Sequence, residues 1–385
     1  MHTFSKLVSF FSLVFVMSFL FLPLVHSFEN NTVYLSSCST LNETGKNYIL
    51  TQDVISNDFV CFLVVSDYIV LDGNGHYIIS NTSSISQGVK VNGRFNVTIH
   101  DLKVVGFGSG IFLGGGGSSY IHNNTISSSV DYGVFLLGSD NNLVAGNLLL
   151  DNDVGVFGTS HANNNIIFGN FFNNTLSSAI YLDNVGGNTI SSNNIFDSGN
   201  AIFLSGVVTN MDFNKNYISG TSSFGYDVYS EADGSISFSD MFPFGKYQFS
   251  GNNLLTFKDS NFGQIKFLQP VSGSGNNLTD DIQIKDNSVT LKTSLNPGLN
   301  VPAQITLYGI GDRGFLNPVI KRNLVNCPSN VCTALTPLNA QNVIFNVTGF
   351  ANPITTYRIG GNRTFNPNIN PIGCYSKGGT CPDIY

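Results

Sequence analysis

Apolar residues in this chain recur on a short beat. Six stretches open alike, Gly88-Val-Lys-Val, Gly110-Ile-Phe-Leu, Gly133-Val-Phe-Leu, Gly155-Val-Phe-Gly, Ala179-Ile-Tyr-Leu and Ala201-Ile-Phe-Leu, at intervals of 22, 23, 22, 24 and 22 residues. A unit this short can bury its apolar edge only against copies of itself, so the pattern predicts stacked coils of short strands. Side chains alternate between faces along a strand, which places Ile111, Val134, Val156, Ile180 and Ile202 inward. Two further apolar columns, Ile121, Val144, Ile167, Ile190, Phe213 and Ile126, Leu149, Phe172, Ile195, Ile218, are expected in the same interior. Phe112, Phe135, Phe157, Tyr181 and Phe203 then form an outward aromatic stripe. Parallel strands joined by crossovers are nearly always right-handed, so the expected architecture is a right-handed parallel β-helix.

Polar residues keep the same beat. Asn124, Asn147, Asn170, Asn193 and Asn216 fall 23 residues apart, with Asp101 one interval earlier. A second column comprises Asn96, Asn142, Asn165 and Asn188, with Ser119 and Met211 in the gaps. Amides stacked at about 4.8 Å can bond along such a stack, so both columns are expected at tight bends. The glycines that open most coils are expected to supply positive φ, which is cheap only for glycine.

Outside the repeats the pattern changes. Residues 1–27 read as a secretory signal, with Lys6, an apolar run from Leu7 to Leu22 and Val25-His26-Ser27 as cleavage box. The run is also long enough for an uncleaved anchor, the one membrane association expected. Residues 28–87 read as an N-terminal cap and first coil, and residues 88–250 as the helix proper. Short alternating strands over 276–360, broken by Pro, Gly and Asn, predict a small β-sandwich, so the fold class is all-β throughout. Residues 361–385 read as a Cys-stapled tail.

Composition narrows the compartment and the partners. The six cysteines group by spacing into the candidate pairs Cys38 with Cys61, Cys327 with Cys332 and Cys374 with Cys381, a pairing that spacing alone leaves open. Sequons at Asn30, Asn42, Asn81, Asn96, Asn123, Asn173, Asn277, Asn346 and Asn362 would be surface acceptors in a glycosylating host. Charged residues make up 11% of the chain and the net charge is -7, which argues against nucleic acid and anionic membranes as partners.

The Leu71-Asp-Gly-Asn-Gly-His76 turn, the Gly-Ile-Phe-Leu openings and phrases such as Asn188-Thr-Ile-Ser-Ser-Asn193 resemble secreted right-handed parallel β-helix repeat proteins of the pectate-lyase-like superfamily. That group includes the periplasmic copper-binding NosD-like domain. The likeness covers roughly residues 58 to 225. The C-terminal part, with Ile305-Thr-Leu-Tyr-Gly, is similar to modules of archaeal surface proteins. Such repeats specify the fold well and the function poorly.

Lyases of that superfamily need basic residues against uronates, yet no lysine or arginine occurs between Lys103 and Lys215. A hydrolase needs paired carboxylates, and the nearest are Asp131 and Asp153, at equivalent places two residues before successive openings, with Asp151 and Asp183 as further candidates; aspartate replacing asparagine at bends is the simpler account. For copper, His100 and His122 fall on neighbouring coils in adjacent columns, too few soft ligands for a metal site, so neither metal nor cofactor is expected. The leading expectation is a secreted or cell-surface, non-catalytic protein. Its aromatic stripe would bind a neutral glycan or another surface protein. The alternative is a carbohydrate-active hydrolase or lyase using those four aspartates.

Overall fold

The computed structural model describes residues 31–81, 86–241, 244–294, 296–350 and 353–363. The signal segment, Asn30, Cys374 and Cys381 lie outside the described residues, as does the side chain of Asn362. The described chain is an all-β solenoid of about nine turns followed by a small antiparallel sheet region.

Each turn contributes strands to three parallel faces. Face 1 carries Ser109–Gly114, Tyr132–Leu137, Val154–Thr159 and Ser178–Gly186 in register. Face 2 carries Thr98–His100, Tyr120–His122, Leu143–Ala145, Ile166–Phe168 and Thr189–Ser191. Face 3 is an eight-stranded sheet running from Val54–Ser56 to Tyr217–Ser219. The three apolar columns predicted from the beat all lie in the common interior.

The segment read as an entry cap carries the same winding. Thr32–Leu35 pairs in parallel with Asn47–Leu50, and Ser39–Leu41 with Val60–Val64. Cys38 and Cys61 are disulfide-bonded, with Cα atoms 4.5 Å apart on adjacent rungs. Cys327 and Cys332 form the second disulfide. Two such bonds suit an oxidising compartment.

The asparagine ladder is continuous. Asn124 Nδ2 donates to Asn147 Oδ1 at 3.1 Å, Asn147 to Asn170 at 3.0 Å, Asn170 to Asn193 at 3.0 Å and Asn193 to Asn216 at 2.9 Å. Each of these Nδ2 groups also donates to a main-chain carbonyl, and each acceptor oxygen receives a backbone N–H from the rung before. Amides suit this place because one side chain supplies both donor and acceptor at a corner the strands cannot pair.

Two column assignments shift by one residue. Thr98–His100 pairs with Tyr120–His122, so Leu102, not Asp101, precedes Asn124 in the column; the Leu102 N–H donates to Asn124 Oδ1. By the same register Val97, not Asn96, precedes Ser119. The coil between them is one residue shorter than its successors, which constant-interval counting could not see.

The opening glycines also have a different cause. Gly88, Gly110, Gly133 and Gly155 do not have positive φ; a Cβ on Gly110 would sit 2.4 Å from Ile126 Cγ2 and one on Gly155 2.6 Å from Phe172 Cδ1. At these four rungs a Cβ would collide with a face 3 side chain and with the carbonyl of the next rung, whereas Ala179 and Ala201 take the same place further along. The left-handed positions are the corners instead: Asp101 and Asn123 on one, Asn96, Ser118, Asn141 and Asn164 on another.

The far end of the stack is closed by a change of strand direction. Tyr247–Asp259 pairs in parallel with Asp233–Ser239 and antiparallel with Gly263–Phe267 and Val271–Gly275. Ala303–Leu307 and Val343–Val347 continue this antiparallel run. A second, five-stranded antiparallel sheet, which includes Ser288–Lys292 and Ile354–Arg363, packs against it through Phe345 and Tyr357. The last coil therefore leaves no long bare edge on that side.

Candidate functional site

Face 1 organises the outward chemistry. The stripe residues stand in register, with ring centroids 5.2 Å apart for Phe112 and Phe135, 5.2 Å for Phe135 and Phe157, 4.7 Å for Phe157 and Tyr181, and 4.5 Å for Tyr181 and Phe203. Tyr229 extends the row and Tyr132 packs against both Phe135 and Phe157 from the side. From Phe135 to Tyr229 neighbouring rings lie within 34° of parallel. Rings stacked along the helix axis cover one another's faces, so the row offers solvent mainly ring edges. Phe112 is buried and edge-on to Phe135, with Lys90 Nζ 5.5 Å above its ring.

Beyond the rings, along the same strands, lies a hydroxyl network. Tyr181 OH is 3.1 Å from Ser205 Oγ, Ser205 Oγ donates to Asp183 Oδ1 at 2.9 Å, and Thr159 Oγ1 donates to Asp183 Oδ2 at 2.9 Å. Asn184 Nδ2 adds a third donor to Asp183. Both carboxylate oxygens are thus engaged in tying three rungs together.

Past Asp183 the surface becomes concave. A cleft of about 480 Å³ is lined by His161, Asn163, Asn164, Asn184, Thr209 and Asn210, with Val185, Gly186, Gly187 and Val207 as its floor and walls. None of these residues is Asp, Glu, Lys or Arg. A neighbouring cleft of about 380 Å³, which includes Ser235, Ser237 and Thr256, shares Asn210 with the first. The cleft exists because rungs slip here: the register shifts between Asp183 and Val185 and again between Val208 and Met211. Such bulges re-aim side chains. The cleft residues themselves were not foreseen from the sequence.

Of the four aspartates, two come together. Asp131 and Asp153 lie on adjacent rungs at the start of face 1, immediately before the paired Tyr132 and Val154. Burial, and then the charge of Asp131, raise the pKa of Asp153 above its ordinary value; burial also raises that of Tyr132, and both aspartates add to this. Asp151 is turned away, accepting from Asn174 Nδ2 at 2.6 Å, and Asp183 is at the opposite end of the strands.

A prediction follows from the sign of the Asp153 shift. At low pH both the folded and the unfolded chain hold the proton, so substitution is neutral. As the pH rises above the ordinary carboxylate pKa, the unfolded chain loses this proton before the folded one does, so the wild type loses stability until the pH has passed the raised folded pKa. Asp153→Asn should therefore raise the melting temperature at pH 7, with the gain fading towards pH 3. A variant less stable than wild type at pH 7 would contradict this.

His100 and His122 share one column, not adjacent ones, because the strands carrying them pair residue for residue. Of the sequons, Asn42, Asn81, Asn96, Asn123 and Asn277 are exposed, and Asn173 and Asn346 are half-buried. Among the described residues no helix is long and apolar enough to cross a membrane.

The model of the right-handed β-helix region matches residues 25–176 and 87–240. Among solved structures, the chain is similar to an alginate lyase from Paenibacillus sp. str. FPU-7, at 14% identity and a TM-score of 0.43, over 59% of this chain and 98% of that one. It is also similar to Geobacillus virus E2 ORF18, at 10% identity and a TM-score of 0.31, over 83% and 67%. The tailspike protein of E. coli bacteriophage HK620, solved with a pentasaccharide, matches at 10% identity and a TM-score of 0.29, over 86% and 85%. No curated protein matches the sequence significantly.

Proposed function

This chain belongs to the right-handed β-helix family, and on that premise we propose that it is a secreted or cell-surface, non-catalytic protein that binds a neutral glycan along face 1 and its adjoining cleft. The observation that carries this reading is the cleft itself: concave, lined by amides, hydroxyls and one imidazole, and free of formal charge among its lining residues. Sugar hydroxyls pair with such donors and acceptors, while an acidic polysaccharide would find no cation there. The second cleft, sharing Asn210, lengthens the track along the helix axis, as a chain ligand requires, and adds one cation, Lys266, at its far part. The ring row, from Phe157 through Tyr181 to Phe203, lies on the same strands, and Tyr181 OH joins it to the hydroxyl network.

The test uses residues that can be removed without straining the backbone. His161 and Asn210 have φ of 63° and 52°, a conformation glycine adopts freely. The double variant His161→Gly with Asn210→Gly should lose at least tenfold in affinity for whichever neutral polysaccharide the wild type retains in affinity electrophoresis, with little change in melting temperature. In contrast, Phe135→Ala with Phe157→Ala should chiefly lower stability, by about 1 kcal/mol per lost ring contact. Retention of the glycan by the glycine variant would refute the assignment of the cleft.

One observation favours a second reading, a polysaccharide hydrolase. Asp153, its pKa raised by burial and by the neighbouring Asp131, is the kind of carboxyl a general acid requires, and it stands on the rung next to Asp131 at the start of the ring-bearing strands. Release of reducing ends from a polysaccharide panel, abolished by Asp153→Asn, would establish that reading over the first.

A further inference from the structure

The turn Asp72-Gly-Asn-Gly-His76 has no part in the face 1 site, yet it builds a constellation on face 2. Asp72, His100 and His122 stand in register on successive rungs. Asp101 follows His100 at a φ of 53°, which turns its carboxylate back so that Oδ2 lies 2.8 Å from His100 Nδ1. Asp72 Oδ1 is 3.7 Å from the same nitrogen. One donor atom from each of Asp72, His100 and Asp101 lies within 4.8 Å of the other two.

The backbone holds these groups where they are. A Cβ on Gly73 would come within 2.3 Å of Leu102 Cα, so only glycine lets the turn lie against the following rung. In that position the Gly73 N–H donates to the His100 carbonyl and the Gly75 N–H to the Asp101 carbonyl. Asn74 N–H donates to Asp72 Oδ1 at 2.7 Å, which fixes that carboxylate. The His122 ring is stacked 5.0 Å from that of His100 at 10°, and Tyr120 packs on His122 in turn. The imidazole of His100 is thereby held in its plane.

The geometry points to a binding site for one divalent transition cation of the zinc class, held by Asp72, His100 and Asp101 with a further position open to solvent. One imidazole nitrogen with two carboxylates is a donor set that zinc accepts, and three protein ligands with an open position is a coordination it commonly adopts. Calcium takes six to eight oxygens, more than this cluster supplies. Two carboxylates converging on one ring nitrogen also leave negative charge that a dication offsets.

The experiment uses untagged full-length protein, with Zn2+ in titration calorimetry and Co2+ as a visible-spectrum probe at neutral pH. One Zn2+ should bind per chain, and Co2+ should show d–d bands. His100→Gln and Asp101→Asn should each weaken Zn2+ binding at least tenfold and remove the bands; asparagine tolerates the left-handed backbone at 101. His76→Gln and His161→Gln should leave both signals unchanged. Circular dichroism checks that each variant keeps its fold. The inference is overturned if Zn2+ does not saturate, if His100→Gln binds it as tightly as wild type, or if Ca2+ binds equally well.

Discussion

Asn170→Ala is expected to destabilise the protein by about 4 kcal/mol, a large effect for one substitution. Asn170 is fully buried in the middle of the ladder. Its Oδ1 accepts from Asn147 N at 2.9 Å and from Asn147 Nδ2 at 3.0 Å, while its Nδ2 donates to the Val144 carbonyl at 2.8 Å and to Asn193 Oδ1 at 3.0 Å. Alanine leaves both donors and both acceptors short of a partner where water cannot replace it. Each such loss costs about 1 to 3 kcal/mol, reduced where the neighbouring amides keep a second bond. Asn170→Asp separates this account from simple loss of volume, since it preserves shape but sets a carboxylate oxygen against two acceptors. It should be at least as damaging as alanine at pH 7 and recover partly in acid. Thermal and denaturant unfolding of the purified protein would measure both, and an alanine cost under about 1 kcal/mol would show that the ladder is not what holds the corner.

Tyr247→Phe should cost about 3 kcal/mol, because it breaks the polar joint between the helix and the antiparallel region. Tyr247 is fully buried; its hydroxyl donates to Asp281 Oδ2 at 2.7 Å and accepts from Asn296 Nδ2 at 2.9 Å. Burial raises the phenol pKa far above its ordinary value, with a further push from Asp281, so the group stays a donor at any working pH. Phenylalanine fills the same space and leaves the buried Asp281 carboxylate without this donor. A double-mutant cycle with Asp281→Asn would show strong coupling, and hydrogen exchange should quicken first in residues 278–310, on the far side of the joint. Additive losses in the cycle would argue that the two side chains act independently.

The contrast between Asp101 and Asn124 shows where pattern reading stops. The interval of 23 correctly linked five asparagines because those coils are equal in length, and the buried apolar columns followed from the same count. One shortened coil was enough to move Asp101 off the column and Leu102 onto it. The same displacement gave Asp101 a new neighbour. Its carboxylate meets His100, and the glycine turn brings in Asp72 from the preceding rung. The aromatic stripe was legible as a row, but whether rings present faces or edges depends on side-chain torsions that stacking selects.

The sequence by itself determined the winding, the three apolar columns and the amide ladder, because a period that repeats in register leaves each rung only one way to bury its edge. Spacing already suggested the Cys38–Cys61 and Cys327–Cys332 pairs and the neighbouring places of Asp131 and Asp153; the tertiary structure alone decided the cleft beside Asp183, the cluster around His100, and the closure of the stack by antiparallel strands. Each of these depends on where one rung slips, bends or meets the next, a property of neighbouring coils together that no single repeat contains.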